Sequence, residues 1–150
     1  MSHKIVFVCT GNTCRSPMAQ ALAAQIFADA GLVCEVSSAG VSAWNNQPAS
    51  RHALEAMKEG GLCLLGHKSA LVSREMVEDA TVVLTMTRTH RAVLLSDYPS
   101  AKEKIFLLSE YVGEGLDVAD PFGGDLDVYR ACAAQIKALL ARVAEKLKRL

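Results

Sequence analysis

The stretch Ile5-Val-Phe-Val-Cys-Thr-Gly-Asn-Thr-Cys-Arg-Ser-Pro17 decides how this chain is read. Residues 4 to 8 carry the β-branched and aromatic run of a buried strand. Gly11 and Asn12 both tolerate positive φ, so the chain can curl and turn successive backbone N–H groups inward as an anion-binding nest. Ser16 followed by Pro17 reads as N-cap and first helical position. A helix then begins where the loop ends and aims its unpaired N–H groups at the loop centre. Strand, loop and helix together describe a cup for a tetrahedral oxyanion.

Cys9 and Arg15 stand six positions apart across this cup, in the pattern C-x5-R. Helix end, inward amides and guanidinium all favour a thiolate at Cys9, and the thiolate is the form that attacks. Arg15 offers a planar fork that holds two oxygens of a phosphoryl group at once. Nucleophile plus clamp points to phosphoryl transfer through a phosphocysteine intermediate. A cysteine at a strand end is more often a small core residue, and C-x5-R alone arises by chance; the flanking strand, Gly11, Asn12 and Ser16-Pro17 lift it above both. No G-x4-G-K-[ST] occurs, which excludes a Walker-type loop.

At 150 residues the chain reads as one domain, residues 1 to 150, long enough to bury roughly 70% of its unfolded surface. Sixteen basic and sixteen acidic side chains leave no global field for nucleic acid or an anionic membrane, so neither is expected as a partner. Residues 1 to 9 lack the charged and long apolar regions of a signal peptide, and no stretch approaches the ~20 apolar residues that span a bilayer. A cytoplasmic protein is expected. Cys9, Cys14, Cys34, Cys63 and Cys132 form an odd, unpatterned set, which argues against structural disulfides and zinc. No metal or cofactor is called for.

Beyond the first strand the elements alternate. Residues 17 to 30 carry helical spacing closed by Gly31, and residues 33 to 38 make a second strand. Residues 49 to 59 are helical up to Gly60-Gly61, and residues 73 to 79 form a short helix capped by Ser73. Residues 81 to 86 are a third strand, 89 to 96 a helix and 104 to 108 a fourth strand. Residues 128 to 150 form a long closing helix whose apolar stripe could support a dimer, though an ordinary core face explains it; a monomer is expected. This alternation predicts an α/β fold in three layers, a four-stranded parallel sheet with helices on both faces and the C-x5-R loop after strand 1. Ligands of such sheets sit at the carboxyl ends of strands, where Cys9 lies.

A thiolate nucleophile needs a partner that protonates the leaving group. Asp120, in Asp120-Pro-Phe-Gly-Gly124, is the candidate. Pro121 holds it extended and the glycine pair keeps the segment a loop, so its carboxyl can project over a neighbouring cup. A bound phosphoryl dianion favours the protonated carboxyl that a general acid requires. In isolation the segment would read as a solvated turn.

The loop Cys9-Thr-Gly-Asn-Thr-Cys-Arg-Ser-Pro17 and the distal Asp120-Pro resemble the two signatures of the low-molecular-weight protein phosphatases, in an order and spacing that cover essentially the whole chain. The resemblance implies a metal-free reaction on phosphorylated protein substrates, with Cys9 as nucleophile, Arg15 as clamp and Asp120 as acid then base. Thr10, Gly11, Asn12, Thr13, Cys14, Ser16 and Phe122 would surround the substrate. Asn12 and Ser38 would hold the loop shape, Ser16 would stabilise the departing thiolate, and His67 matches the histidine that braces this network.

Tyrosine-directed members of that family usually carry isoleucine at the fourth variable loop position, where this chain has Thr13. In this, and in the extension of Asp120-Pro into Phe122-Gly-Gly124, the chain resembles the protein arginine phosphatases. A threonine hydroxyl can hydrogen-bond the guanidinium of phosphoarginine, whereas isoleucine leaves those N–H groups facing hydrocarbon, at roughly 1 to 3 kcal/mol for a buried unpaired donor. A tyrosine phosphatase of the same family is the alternative. Trp44 is a candidate wall of the substrate entrance or a lid for the core. An arsenate reductase of this fold would need resolving cysteines near residues 80 to 90, and none is there. A redox-sensing module without turnover is the rival of another class: a curled loop would bring Cys14 toward disulfide range of Cys9.

Overall fold

In the computed structural model, which describes residues 2–150, strand β1 (Ser2–Cys9) lies inside a parallel sheet, between β2 (Val33–Gly40) and β3 (Val82–Thr85). β4 (Ile105–Leu107) completes the order β2-β1-β3-β4. The helices are α1 (Arg15–Asp29), α2 (Arg51–Glu59), α3 (Arg74–Asp79), α4 (Arg88–Asp97), α5 (Leu108–Tyr111) and α6 (Leu126–Lys148).

The period of two along β1 builds the layers. Ile5, Phe7 and Cys9 point into a core shared with Met18, Leu22 and Phe27 of α1 and Ile136, Leu140 and Val143 of α6. Val6 and Val8 point the other way, against Val77 of α3, Leu94 of α4 and Ile105. Each fully buried side chain of this size contributes about 1.5 to 3 kcal/mol of burial free energy. The three-layer α/β expectation holds. Among the described residues no helix is long and apolar enough to cross a membrane.

Several boundaries move for identifiable reasons. β2 runs beyond residue 38 to Gly40 because it pairs in register with β1 down to Cys9. The fourth strand stops at Leu107, and Leu108 opens α5 instead. Lys104 closes a 3₁₀ turn, Pro99–Lys104, and its Nζ donates to the carbonyls of Glu78 at 2.8 Å and Ala80 at 2.9 Å. α2 starts two residues later than expected, after its cap Ser50, while Ser73 caps α3 as expected.

The start of α1 is the substantive correction. The helix opens at Arg15 with Cys14 as N-cap and no side-chain capping bond, so Ser16 and Pro17 lie inside the first turn. The Ser16 hydroxyl is committed to the loop instead, and the first-turn amides keep no side-chain acceptor. Asn12 takes the positive φ, 57°, but Gly11 does not.

Candidate active site

Cys9 is the last residue of β1, 2% exposed, with its Sγ 2.8 Å from Ser16 Oγ. What holds the loop around it is the fully buried side chain of Asn12. Asn12 Nδ2 donates to Ser16 Oγ at 2.8 Å and to Ser38 Oγ at 2.9 Å, and Oδ1 accepts the Ala70 N–H at 2.9 Å. Its carbonyl lies 2.7 Å from His67 Nε2, the bracing contact expected of that histidine. Ser38 in turn donates to Gln20 Oε1 at 2.6 Å. Every hydrogen-bonding group of the buried amide is paired, as a buried polar group requires. Because Ser16 Oγ accepts from Asn12, its own proton is free to donate, and the sulfur at 2.8 Å is a nearer target than the Ala39 carbonyl at 3.4 Å.

Arg15 stands on the first turn of α1 and is 4% exposed. Nη1 donates to the Val118 carbonyl at 2.9 Å, which sets the plane of the guanidinium. Nη2 lies 3.7 Å from Asp120 Oδ2 and 3.5 Å from Thr10 Oγ1. Asp120 therefore arrives beside the clamp although its motif is far away in the chain. Its other oxygen, Oδ1, accepts the Phe122 N–H at 3.1 Å, a local turn that fixes the carboxyl while leaving the side chain 54% exposed.

These residues enclose a cavity of about 270 Å³ lined by Cys9, Thr10, Gly11, Thr13, Cys14, Arg15, Asp120 and Phe122. A larger groove of about 430 Å³, lined mainly by Leu54, Leu62, Leu64 and Leu65, contains none of these groups. Trp44 is 82% exposed, so it is no lid for the core, and the residues that line the cup do not include it. Cys14 turns its Sγ toward Tyr129 Oη at 3.3 Å and Ser50 Oγ at 3.4 Å, and burial pushes the Tyr129 phenol up to about 12. All five cysteines are free thiols.

Two residues that sequence reasoning missed shape the cup. Gly40 ends β2 against the loop, where an added Cβ would press into the Thr10 carbonyl and come within 3.0 Å of the Asn12 nitrogen. The only signal was a glycine closing the run Ser37-Ser-Ala-Gly40. His90, on the first turn of α4 and 4% exposed, accepts the Thr87 N–H on Nδ1 at 3.2 Å. With that nitrogen accepting, the neutral ring carries its proton on Nε2, 2.8 Å from Thr10 Oγ1.

Burial, reinforced by the nearby Arg15, lowers the His90 pKa from its ordinary 6.5 to about 4. A histidine depressed on folding stabilises the protein above its unfolded pKa and loses that contribution as pH falls through the folded one. Acidification from about pH 6.5 to 4 is therefore expected to cost on the order of 2 to 3 kcal/mol through this residue. Urea melts of wild type and His90→Asn across that range check it, since the variant should lack this part of the slope.

A family model described as low molecular weight phosphotyrosine protein phosphatase matches residues 4–150. The protein-arginine-phosphatase of Bacillus subtilis (strain 168) is 44% identical over 146 residues, covering 97% of each chain. The low molecular weight protein-tyrosine-phosphatase PtpB of Staphylococcus haemolyticus (strain JCSC1435) is 37% identical over 143 residues, 93% of this chain and 96% of PtpB. A solved structure of the YwlE arginine phosphatase, a cysteine-to-serine mutant with a phosphorylated active-site serine, has a TM-score of 0.94 at 44% identity. It covers 97% of this chain and 95% of that one.

Proposed function

This chain belongs to the low molecular weight phosphotyrosine protein phosphatase family, and from that premise we propose that it hydrolyses phosphoarginine in proteins with Cys9 as nucleophile. It is a cysteine-dependent protein phosphatase. In the proposed sequence the Cys9 sulfur attacks phosphorus while the bond from phosphorus to the guanidinium nitrogen breaks. Asp120 delivers the proton that the departing nitrogen takes up. The Arg15 fork and the first-turn amides of α1 hold the equatorial oxygens. Water then attacks the phosphocysteine, Asp120 takes its proton, and the sulfur leaves as thiolate with the Ser16 hydroxyl donating to it. The products are arginine in the protein and inorganic phosphate.

Thr13 carries the choice of substrate. It lines the cup with Cys9, Asp120 and Phe122, and its hydroxyl has only a 3.8 Å contact with Cys14 Sγ, too long to compete with a ligand. The resemblance over almost the whole length to the Bacillus subtilis protein-arginine-phosphatase supports the same choice. Thr13→Ile is expected to lower the preference for phosphoarginine over phosphotyrosine at least about tenfold, the effect of one buried donor left unpaired. The kcat/KM values of matched phosphopeptides check it, and an unchanged ratio removes Thr13 from the account. A monomer in the cytoplasm is also part of this reading; the burial of Ile136, Leu140 and Val143 of α6 within the chain supports the first point.

A further inference from the structure

His90 lies outside the two motifs that mark the cup, yet its ring is engaged at both nitrogens. Nδ1 closes the capping box of α4, and Nε2–H meets Thr10 Oγ1 at 2.8 Å. The Thr10 oxygen also receives the longer contact from Arg15 Nη2 at 3.5 Å. A hydroxyl has two acceptor sites and one donor. With both acceptor sites addressed, what Thr10 has left to offer is its proton, and Thr10 is exposed on the cup wall.

The position of Arg15 says where that proton goes. Nη1 is tied to the Val118 carbonyl, whereas Nη2 is flanked by Thr10 Oγ1 and Asp120 Oδ2. An oxygen gripped at Nη2 therefore comes to rest beside the Thr10 hydroxyl. We propose that His90 is a positioning residue, which through its Nε2–H holds the Thr10 hydroxyl in the orientation that donates to a phosphoryl oxygen seated on Arg15. The inference rests on the cup being the phosphoryl site of the reaction above. Burial keeps the imidazole neutral over the working pH range, so the donor and acceptor roles of its two nitrogens stay fixed.

Four variants separate this role from support of the helix. His90→Asn keeps an acceptor for the Thr87 N–H but is too short to reach Thr10, whereas His90→Gln restores a donor at the longer reach. Thr10→Val removes the hydroxyl at constant shape, and Thr10→Ser keeps it. The probes are p-nitrophenyl phosphate as substrate and inorganic phosphate as competitive inhibitor of the purified full chain.

Thr10→Val and His90→Asn should each raise KM and the phosphate inhibition constant about tenfold, with kcat within about threefold of wild type, the mark of lost uniform binding. The double variant should be no worse than either single one, and Thr10→Ser and His90→Gln should recover most of the loss. Thr10 lies on the exposed loop, so its variants test the idea even where a His90 variant folds poorly. Losses that multiply in the double variant, a fall confined to kcat, or an unchanged phosphate constant in Thr10→Val would overturn the role. Wild-type protein that fails to turn over the aryl phosphate would instead overturn the phosphatase reading beneath it.

Discussion

Cys9→Ser protein is expected to lose turnover of every phosphorylated substrate by at least about 10⁴-fold, the scale seen when a sole nucleophile is removed. The serine hydroxyl is not ionised at neutral pH and has no neighbouring base to activate it: the nearest side-chain group, Ser16 Oγ at 2.8 Å, is itself a hydroxyl. The rest of the cup should survive the change. Asn12, Ser38 and His67 hold the loop without the sulfur, and Arg15 is fixed by the Val118 carbonyl. Inorganic phosphate should therefore still bind within about threefold of wild type, and the melting temperature should stay within about 3 °C. Isothermal titration and thermal melts separate this pattern from unfolding, and a variant retaining substantial turnover would place the nucleophile elsewhere.

The second large effect is expected at Asp120. Asp120→Asn should lower kcat about 10² to 10⁴-fold on phosphoarginine, because the guanidinium nitrogen is a poor leaving group until it is protonated. With p-nitrophenyl phosphate, whose leaving group departs readily as an anion, the loss should be at least about tenfold smaller. Stability should hardly change, since the Arg15–Asp120 pair is long at 3.7 Å and its carboxylate is 54% exposed. Stopped assays with both substrates give the comparison. Equal losses on the two would deny Asp120 a proton-transfer role, unchanged activity would leave it no part in turnover, and wild-type protein inert on both substrates would favour the redox-sensing alternative, for which Asp120 has no use.

How much of this was legible depends on whether a residue acts through its chain neighbours or through contacts made only on folding. The stretch from Ile5 to Pro17 could be read because strand, loop and helix are consecutive, and each leaves a local imprint of side-chain period and conformational preference. Asp120 was legible for the same reason, since Pro121 and the glycine pair mark an exposed loop, although nothing local shows that it ends beside Arg15. Ser16 is only half legible. A serine before proline satisfies the capping rule by itself, yet Cys14 takes the cap position; the hydroxyl lies instead 2.8 Å from the Cys9 sulfur, where the family resemblance has it act, and only the folded loop reveals that Asn12 also claims it.

Gly40 and His90 left still weaker traces. Gly40 matters because β2 runs on past the expected strand end and presses against the loop, and the sequence around it only says strand. His90 is placed by the capping box it forms with Thr87, which reads as an ordinary helix start until Thr10 is seen on its far side. Trp44 is the opposite case. A tryptophan in a polar loop invited a role, and at 82% exposure it does not cover the core.

The most direct test is turnover of phosphoarginine and phosphotyrosine peptides side by side at neutral pH without added metal, with Cys9→Ser as the control. The account predicts that kcat/KM for phosphoarginine is higher by at least about tenfold, roughly 1.4 kcal/mol of transition-state preference, and that Cys9→Ser is inert on both. A phosphotyrosine rate equal to or above the phosphoarginine rate would contradict the substrate assignment, and a Cys9→Ser protein active on either would contradict the mechanism.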